Sequence, residues 1–206
     1  MVHENQFWIY DKVIPEHICD EIKKLGLSKD LGKGLTANKT PEEHKEDGLS
    51  ELLKYRDSDL NWLDENWIYK EITPVVQQAN KDAKWNYDWD RMEQAQFTKY
   101  GKGQYYKWHM DSTNKPFDNP EEPFIHKKIR KLSLSLLLSY PDEYKGGDFE
   151  FDFSNVEAGT VRHPLKELCG KGSMVVFPSD TFHRVTPVTE GTRYSLVIWC
   201  SGDPFR

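Results

Sequence analysis

Residues 130–139 read RKLSLSLLLS, and the alternation in this stretch decides the fold class. A period of two puts Leu132, Leu134 and Leu136 on one face of a β-strand and Ser133 and Ser135 on the other. The same period recurs in WNYDWDRMEQAQFTKY (85–100) and, behind a Gly-Gly turn, in GGDFEFDF (146–153). MVVFP (174–178) reads as a short buried strand ended by Pro178, and RYSLVIWC (193–200) as a last, apolar one. Several short strands separated by turn signals predict a sandwich or barrel.

The first part of the chain has a different pattern. FWIYDKVI (7–14) reads as a strand, and Pro15 stands where a first helical turn would begin. Ile18, Ile22 and Leu25 recur at helical spacing, with Gly26 as the expected stop. Residues 29–48 are polar and rich in turn formers, which predicts a surface loop. Residues 49–83 are expected to be largely helical. Leu52, Leu53, Leu60, Trp62 and Leu63 form one cluster, and Trp67, Ile68, Ile72, Val75, Val76 and Ala79 a second helix that must absorb Pro74. The expected architecture is α+β within a single domain, 1–206. Residues 1–83 supply mainly helical support, and residues 84–206 an antiparallel β core.

Composition narrows the function. The chain has 206 residues with 37% hydrophobic and 13% aromatic content, as a globular domain requires. A formal net charge of −6 gives no chain-wide electrostatic case for nucleic acid. The one basic cluster, His126 to Lys131, is read as a solvated loop. Three widely spaced cysteines without a CxxC support neither a zinc knuckle nor a disulfide framework, and free thiols fit a reducing cytoplasm. MVHENQFWIYDKVIPEH shows no secretory signal, and no apolar run reaches membrane-spanning length. Nothing in the sequence bears on oligomeric state.

YYKWHMDS (105–112) carries the chemistry. On a strand His109 and Asp111 share a face while Trp108 and Met110 point the other way. Two histidines and one carboxylate make the facial triad of non-haem Fe(II) oxygenases, with open positions left on the metal. Of the other histidines, His3, His17 and His44 lie in polar N-terminal surroundings, His126 in the basic loop, and His163 before Pro164 in a connection. His183, in VVFPSDTFHRVTPV (175–188), follows a buried strand and is the natural third ligand. The His-x-Asp triplet by itself arises readily by chance.

GTRYSLVIW (191–199) adds weight. Arg193 and Ser195 share a face in an apolar strand read as central, and a buried guanidinium needs an anionic partner. A dicarboxylate co-substrate chelating the metal at its other end would supply it. Tyr100 and Tyr106 flank the glycine-rich bend of TKYGKGQYY (98–106), where they either reach that far carboxylate or serve as packing aromatics.

YGKGQYYKWHMD (100–111), RKLSLSLLLSYPDEYKGGDFEF (130–151) and KGSMVVFPSDTFHRVTPVTEGTRYSLVIW (171–199) together resemble the Fe(II)/2-oxoglutarate dioxygenases of the prolyl 4-hydroxylase-like superfamily, closest to the PKHD-type hydroxylases. The resemblance covers about residues 90–200 and is fainter at FWIYDKVIPEHICDEI. It implies a jelly-roll-like double-stranded β-helix, and Fe(II) on His109, Asp111 and His183. It implies O2 as oxidant and 2-oxoglutarate with its distal carboxylate on Arg193, contacted by Tyr100. It further implies ascorbate as auxiliary reductant, succinate and CO2 as co-products, and peptidyl proline in a protein or peptide partner as first substrate. Many animal and plant prolyl 4-hydroxylases carry Lys where this chain has Arg193. The segment 112–131, with three prolines and two phenylalanines, is the expected lid. Three rivals remain. Nucleic-acid demethylases of the same superfamily carry a second Arg where this chain has Trp199. A cupin-like metal protein would need no Arg193–Ser195 pair. A catalytically dead scaffold would not keep the triad.

Overall fold

The computed structural model describes residues 5–34, 53–153, 163–168 and 170–205. In chain order its elements are β1 (Trp8–Tyr10), α1 (Glu16–Ser28), β2 (Gly32–Lys33), β3 (Arg56–Asp57), β4 (Asp59–Leu63), α2 (Asn66–Asp82), β5 (Arg91–Met92), β6 (Ala95–Tyr100), β7 (Tyr105–His109), β8 (Ile129–Leu137), β9 (Tyr144–Gly146), β10 (Phe149–Asp152), β11 (His163–Pro164), β12 (Met174–Pro178), β13 (Phe182–Val185), β14 (Val188–Gly191) and β15 (Arg193–Gly202).

Antiparallel pairing dominates. The major sheet runs β1-β12-β8-β15-β6-β4-β2, with β5 added to β15; the minor sheet runs β11-β10-β13-β7-β3; β14 and β9 form a separate ribbon. The leucine face of β8 packs under the helices. Leu132, Leu134 and Leu136 join Ile22 of α1, Ile68, Ile72 and Val76 of α2, Phe97 of β6 and Ile198 of β15 in one core. The opposite face meets the minor sheet: Leu137, Val175 and Phe177 pack on Phe149, Phe151 and Val185 in a second core. The molecule is thus helices, major sheet and minor sheet in layers, each burying one apolar face of the next. Ser133 and Ser135 are as dry as the leucines because the second sheet covers them.

Four expectations are corrected. Residues 49–52 lie outside the described residues, and between Lys54 and Ala83 helix is confined to Asn66–Asp82; Leu60, Trp62 and Leu63 lie on β4, whose register against β6 runs from Asp59↔Lys99 to Leu63↔Ala95. Their spacing suits a helix, but a free sheet edge beside them wins, a tertiary override of local pattern. Among the described residues the N-terminal part therefore supplies the strands β1 to β4 besides α1 and α2. Gly26 does not stop α1 but sits inside it, where a Cβ would lie 2.4 Å from Cγ of Phe97; the missing side chain admits the ring. His163 is on a short strand paired with β10, not in a connection.

The basic cluster is also less solvated than expected. Lys131 is buried with its ammonium on the Asp88 carbonyl, Arg130 pairs with Glu93, and Lys128 bridges Asp90 and Asp203. Of the expected loop at 29–48, Gly32 and Lys33 form β2, and residues 35–48 lie outside the described residues, as does Leu52. Segment 112–128 is irregular but closed on itself: Phe117 and Lys128 are joined through N–H to carbonyl at 2.9 Å, and Lys127 donates back to Phe117 at 2.8 Å. Pro74 sits inside α2, as the spacing required.

Candidate metal centre and anion pocket

β7 and β13 are neighbours in the minor sheet, and their register sets His109 directly opposite His183. Two residues separate Tyr106 from His109 on β7, while one separates Val185 from His183 on β13, so the pairing contains a bulge. The extra residue re-aims the strand. It brings Tyr106, three residues from His109, onto the same face, where the two rings stack with centroids 3.5 Å apart.

β7 ends at His109, so Asp111 does not sit on the strand as the sequence suggested. It lies in the turn beyond. The N–H groups of Asp111 and Ser112 both donate to the Ser179 carbonyl at 2.9 Å, and the Ser179 hydroxyl is held by Ser133 of β8 at 2.9 Å. The serine face of β8 thereby fixes the carboxylate.

His109 Nε2 lies 3.6 Å from one Asp111 oxygen and His183 Nε2 3.6 Å from the other. All candidate donor atoms of the three residues fall within 4.8 Å of one another. Each ring is oriented from behind: Nδ1 of His109 is 2.7 Å from the Lys107 carbonyl, and Nδ1 of His183 is 2.9 Å from that of Thr181. A carbonyl only accepts, so each Nδ1 carries the proton and each Nε2 presents a lone pair inward. Burial pushes the His109 pKa down to about 3, helped by His183 beside it. Burial alone would raise the Asp111 pKa, but the facing histidines and Arg130 outweigh it and hold the group below the usual carboxylate range. Asp111 Oδ2 is buried with no hydrogen-bond partner. Two imidazoles with Nε2 facing inward, one carboxylate and an orphaned buried oxygen fit a divalent metal that takes mixed N/O ligands.

Arg193 opens β15, the central strand, directly opposite Tyr100 of β6. It is 2% exposed. Its Nη1 donates to Ser195 Oγ at 3.1 Å, and its guanidinium carbon lies 5.8 Å from the Tyr100 ring centre. No carboxylate of the described residues lies within ion-pair distance of it. Gly147, at φ +65°, leaves room for its stem, since a Cβ there would approach Arg193 Cδ to 3.1 Å. One cavity is lined by His109, Asp111 and His183 together with Arg193, Ser195, Tyr100 and Tyr106. All seven residues singled out in the sequence converge there. The Tyr106 phenol is pushed up to about 12, chiefly by burial, and is a neutral hydrogen-bond donor at physiological pH.

Sequence reasoning missed the cavity's mouth. Arg56, Gln96, Arg130 and Trp199 line it beside Tyr106 and His109. Arg56 comes from a two-residue strand far upstream, and no local pattern marks it. Trp199 shares its face of β15 with Arg193 and Ser195, and the i, i+2 spacing alone would have found it.

The sequence profile of the 2OG-Fe(II) oxygenase superfamily matches residues 95–201. A PKHD-type hydroxylase of Bordetella pertussis is 34% identical over 104 residues, which is 50% of this chain and 41% of that protein. A PKHD-type hydroxylase of Hyphomonas neptunium is 37% identical over 100 residues, 48% of this chain and 38% of that protein. The match thus spans about two fifths of these relatives' length. Among solved structures, a prolyl-4-hydroxylase of Pseudomonas putida superposes with a TM-score of 0.67 at 17% identity, covering 96% of this chain and 93% of that one. A viral collagen prolyl hydroxylase from Paramecium bursaria Chlorella virus-1, in its 2OG complex, superposes with a TM-score of 0.66 at 18% identity, covering 97% of both chains. With more than half its length matched and its His-Asp-His cluster assembled in one cavity, the chain belongs to the 2OG-Fe(II) oxygenase superfamily.

Proposed function

We propose that this chain, acting as one unit over residues 1–206 on a double-stranded β-helix core, is an Fe(II)- and 2-oxoglutarate-dependent dioxygenase that hydroxylates peptidyl proline. The observation that carries the reading is Arg193: a buried guanidinium without a carboxylate, in the same cavity as three residues prepared to hold a metal. His109, Asp111 and His183 hold the iron. When bound, iron and 2-oxoglutarate supply the oxidising power, with succinate and CO2 as co-products.

The remaining work belongs to the chain's own side chains. Arg193 and Ser195 seize the distal carboxylate of the co-substrate, which orients its keto-acid end toward the triad. Tyr100, opposite Arg193, and Tyr106, on the His109 ring, close the cavity and offer phenolic donors. Phe149 and Phe177 pack on His183 and exclude water from that side. The prolyl assignment is supported by two structural neighbours named as prolyl hydroxylases. The reading includes a reducing, cytoplasmic setting, supported by the free, buried thiols of Cys19 and Cys200. Among the described residues no helix is long and apolar enough to cross a membrane.

The test incubates the protein with Fe(II), ascorbate, 2-oxoglutarate and proline-containing peptides, measuring succinate and peptide mass. Succinate formation that rises with peptide, matched by a gain of one oxygen atom on proline, is expected. Succinate that forms without peptide modification would remove the substrate assignment while leaving the chemistry.

A further inference from the structure

Arg56 is a second buried guanidinium in the same cavity system, and like Arg193 it lacks the carboxylate partner that Arg130 and Arg184 have. It is 4% exposed. Its Nε donates to Ser58 Oγ at 2.8 Å, its Nη1 to Gln96 Oε1 at 3.4 Å, and its carbon lies 4.6 Å from the Tyr106 ring centre. Those contacts fix its direction but offer no negative charge, and its Nη2 is buried with no partner at all. Asp57, the next residue, points to the opposite face of β3 and is engaged by Lys33 and Gln104. Arg130, across the mouth, is neutralised by a two-pronged contact with Glu93. Gly34 backs the placement: a Cβ there would lie 2.7 Å from Arg56 Nε and 2.4 Å from Ser58 Oγ.

A second unpaired donor lines the same mouth. Trp199 Nε1 is buried without a hydrogen-bond acceptor. Two orphaned donors, one of them cationic, ask for an acceptor that the described residues do not provide. Formal charge points the same way. In the loaded site the two positive charges of the metal and that of Arg193 offset Asp111 and the two carboxylates of the co-substrate. Arg130 is offset by Glu93. Arg56 is left over, and Lys115 adds a further positive charge at the rim, on a chain whose net charge is −6.

We propose that Arg56, with Trp199 in the same lining, is a carboxylate subsite for the primary substrate, so that the enzyme selects a target residue flanked by an acidic side chain. This rests on the peptide-hydroxylase reading above and names the chemistry of the segment recognised. Gln96 and Ser58 act as positioning residues for the guanidinium.

The test is calorimetric titration of the Mn(II)- and 2-oxoglutarate-loaded protein, which binds but does not turn over. The probes are two acetylated, amidated peptides with one proline flanked on both sides by glutamate or by glutamine. Wild-type protein is expected to bind the glutamate peptide at least ~10-fold more tightly, as a buried charge-assisted pair requires. Arg56→Gln should abolish that preference with 2-oxoglutarate binding intact, and Arg56→Lys should restore part of it. Equal affinity for the two peptides, no binding of either at millimolar concentration, or a preference that persists in Arg56→Gln would overturn the proposal. Preferential binding of the glutamate peptide, with no oxygen gained by that peptide when the Fe(II)-loaded protein is assayed under air, would support the subsite and instead count against the prolyl reading.

Discussion

Replacing Arg193 by methionine should separate a ligand-binding arginine from a structural one. The substitution keeps an unbranched stem against Gly147 and removes the charge. In the unloaded protein the guanidinium has one neutral partner, Ser195 at 3.1 Å, and no carboxylate, so its burial is a cost that methionine relieves. Thermal unfolding of the apoprotein should therefore not shift downward. Binding of 2-oxoglutarate should behave oppositely. Truncating one partner of a buried, hydrogen-bonded charge pair costs about 2–5 kcal/mol, or about 30- to 4,000-fold in affinity. The assay is anaerobic titration of the Fe(II) protein with 2-oxoglutarate, following the visible metal-to-ligand charge-transfer band, with a melting curve of each apoprotein alongside. Affinity within about threefold of wild type, with an apoprotein that melts several degrees lower, would refute the reasoning, because a salt bridge internal to the protein gives that pattern.

Four further outcomes are expected. Asp111→Ala should lose metal binding and co-substrate decarboxylation together; decarboxylation at the wild-type rate would remove Asp111 from the ligand set. Gly26→Ala should destabilise by about 1–2 kcal/mol in urea unfolding, since overpacking against Phe97 outweighs the helix propensity gained; a stabilised variant would contradict the contact. Glu93→Ala should cost about 1–3 kcal/mol, because it leaves the half-buried Arg130 without its carboxylate, and a loss below about 0.5 kcal/mol in the same measurement would show that solvent screens the pair. Cys19 and Cys200 should resist thiol reagents at pH 8 until the chain unfolds: both are buried, and burial pushes the Cys19 thiol up to about 12 and Cys200 higher still. Labelling of either in the native protein at the rate of a free thiol would contradict their placement.

The period-two segments were legible because sheet burial writes itself into alternation. The leucine strand, the FEF strand and the RYSLVIW strand all lie where that pattern puts them. β4 was not legible, since Leu60 and Leu63 stand three apart and the pairing that overrides helix comes from β6, more than thirty residues downstream. The triad was found by a rule that applies only in part: His109 ends its strand, and Asp111 joins it through a turn pinned by Ser179. The bulge that turns Tyr106 inward leaves no mark in local sequence, because it is a property of two strands and not of one. Apart from Trp199, which the spacing of β15 marks, the mouth was invisible for the same reason. Arg56, Glu93, Arg130 and Trp199 come from separate strands or connections, and only the closed loop and the completed sheets bring them together.

The two halves of the pocket belong to different layers. His109 and His183 are carried by the minor sheet, Arg193 and Ser195 by the major one. A co-substrate held at both ends is therefore a strut between the sheets. Its departure removes one cross-brace and leaves the seam to the Phe149–Phe177 contact and the Arg56–Gln96 hydrogen bond, so the empty protein is the looser one there. Heat should thus silence the unloaded enzyme before it unfolds it, while the loaded enzyme loses activity and structure at the same temperature.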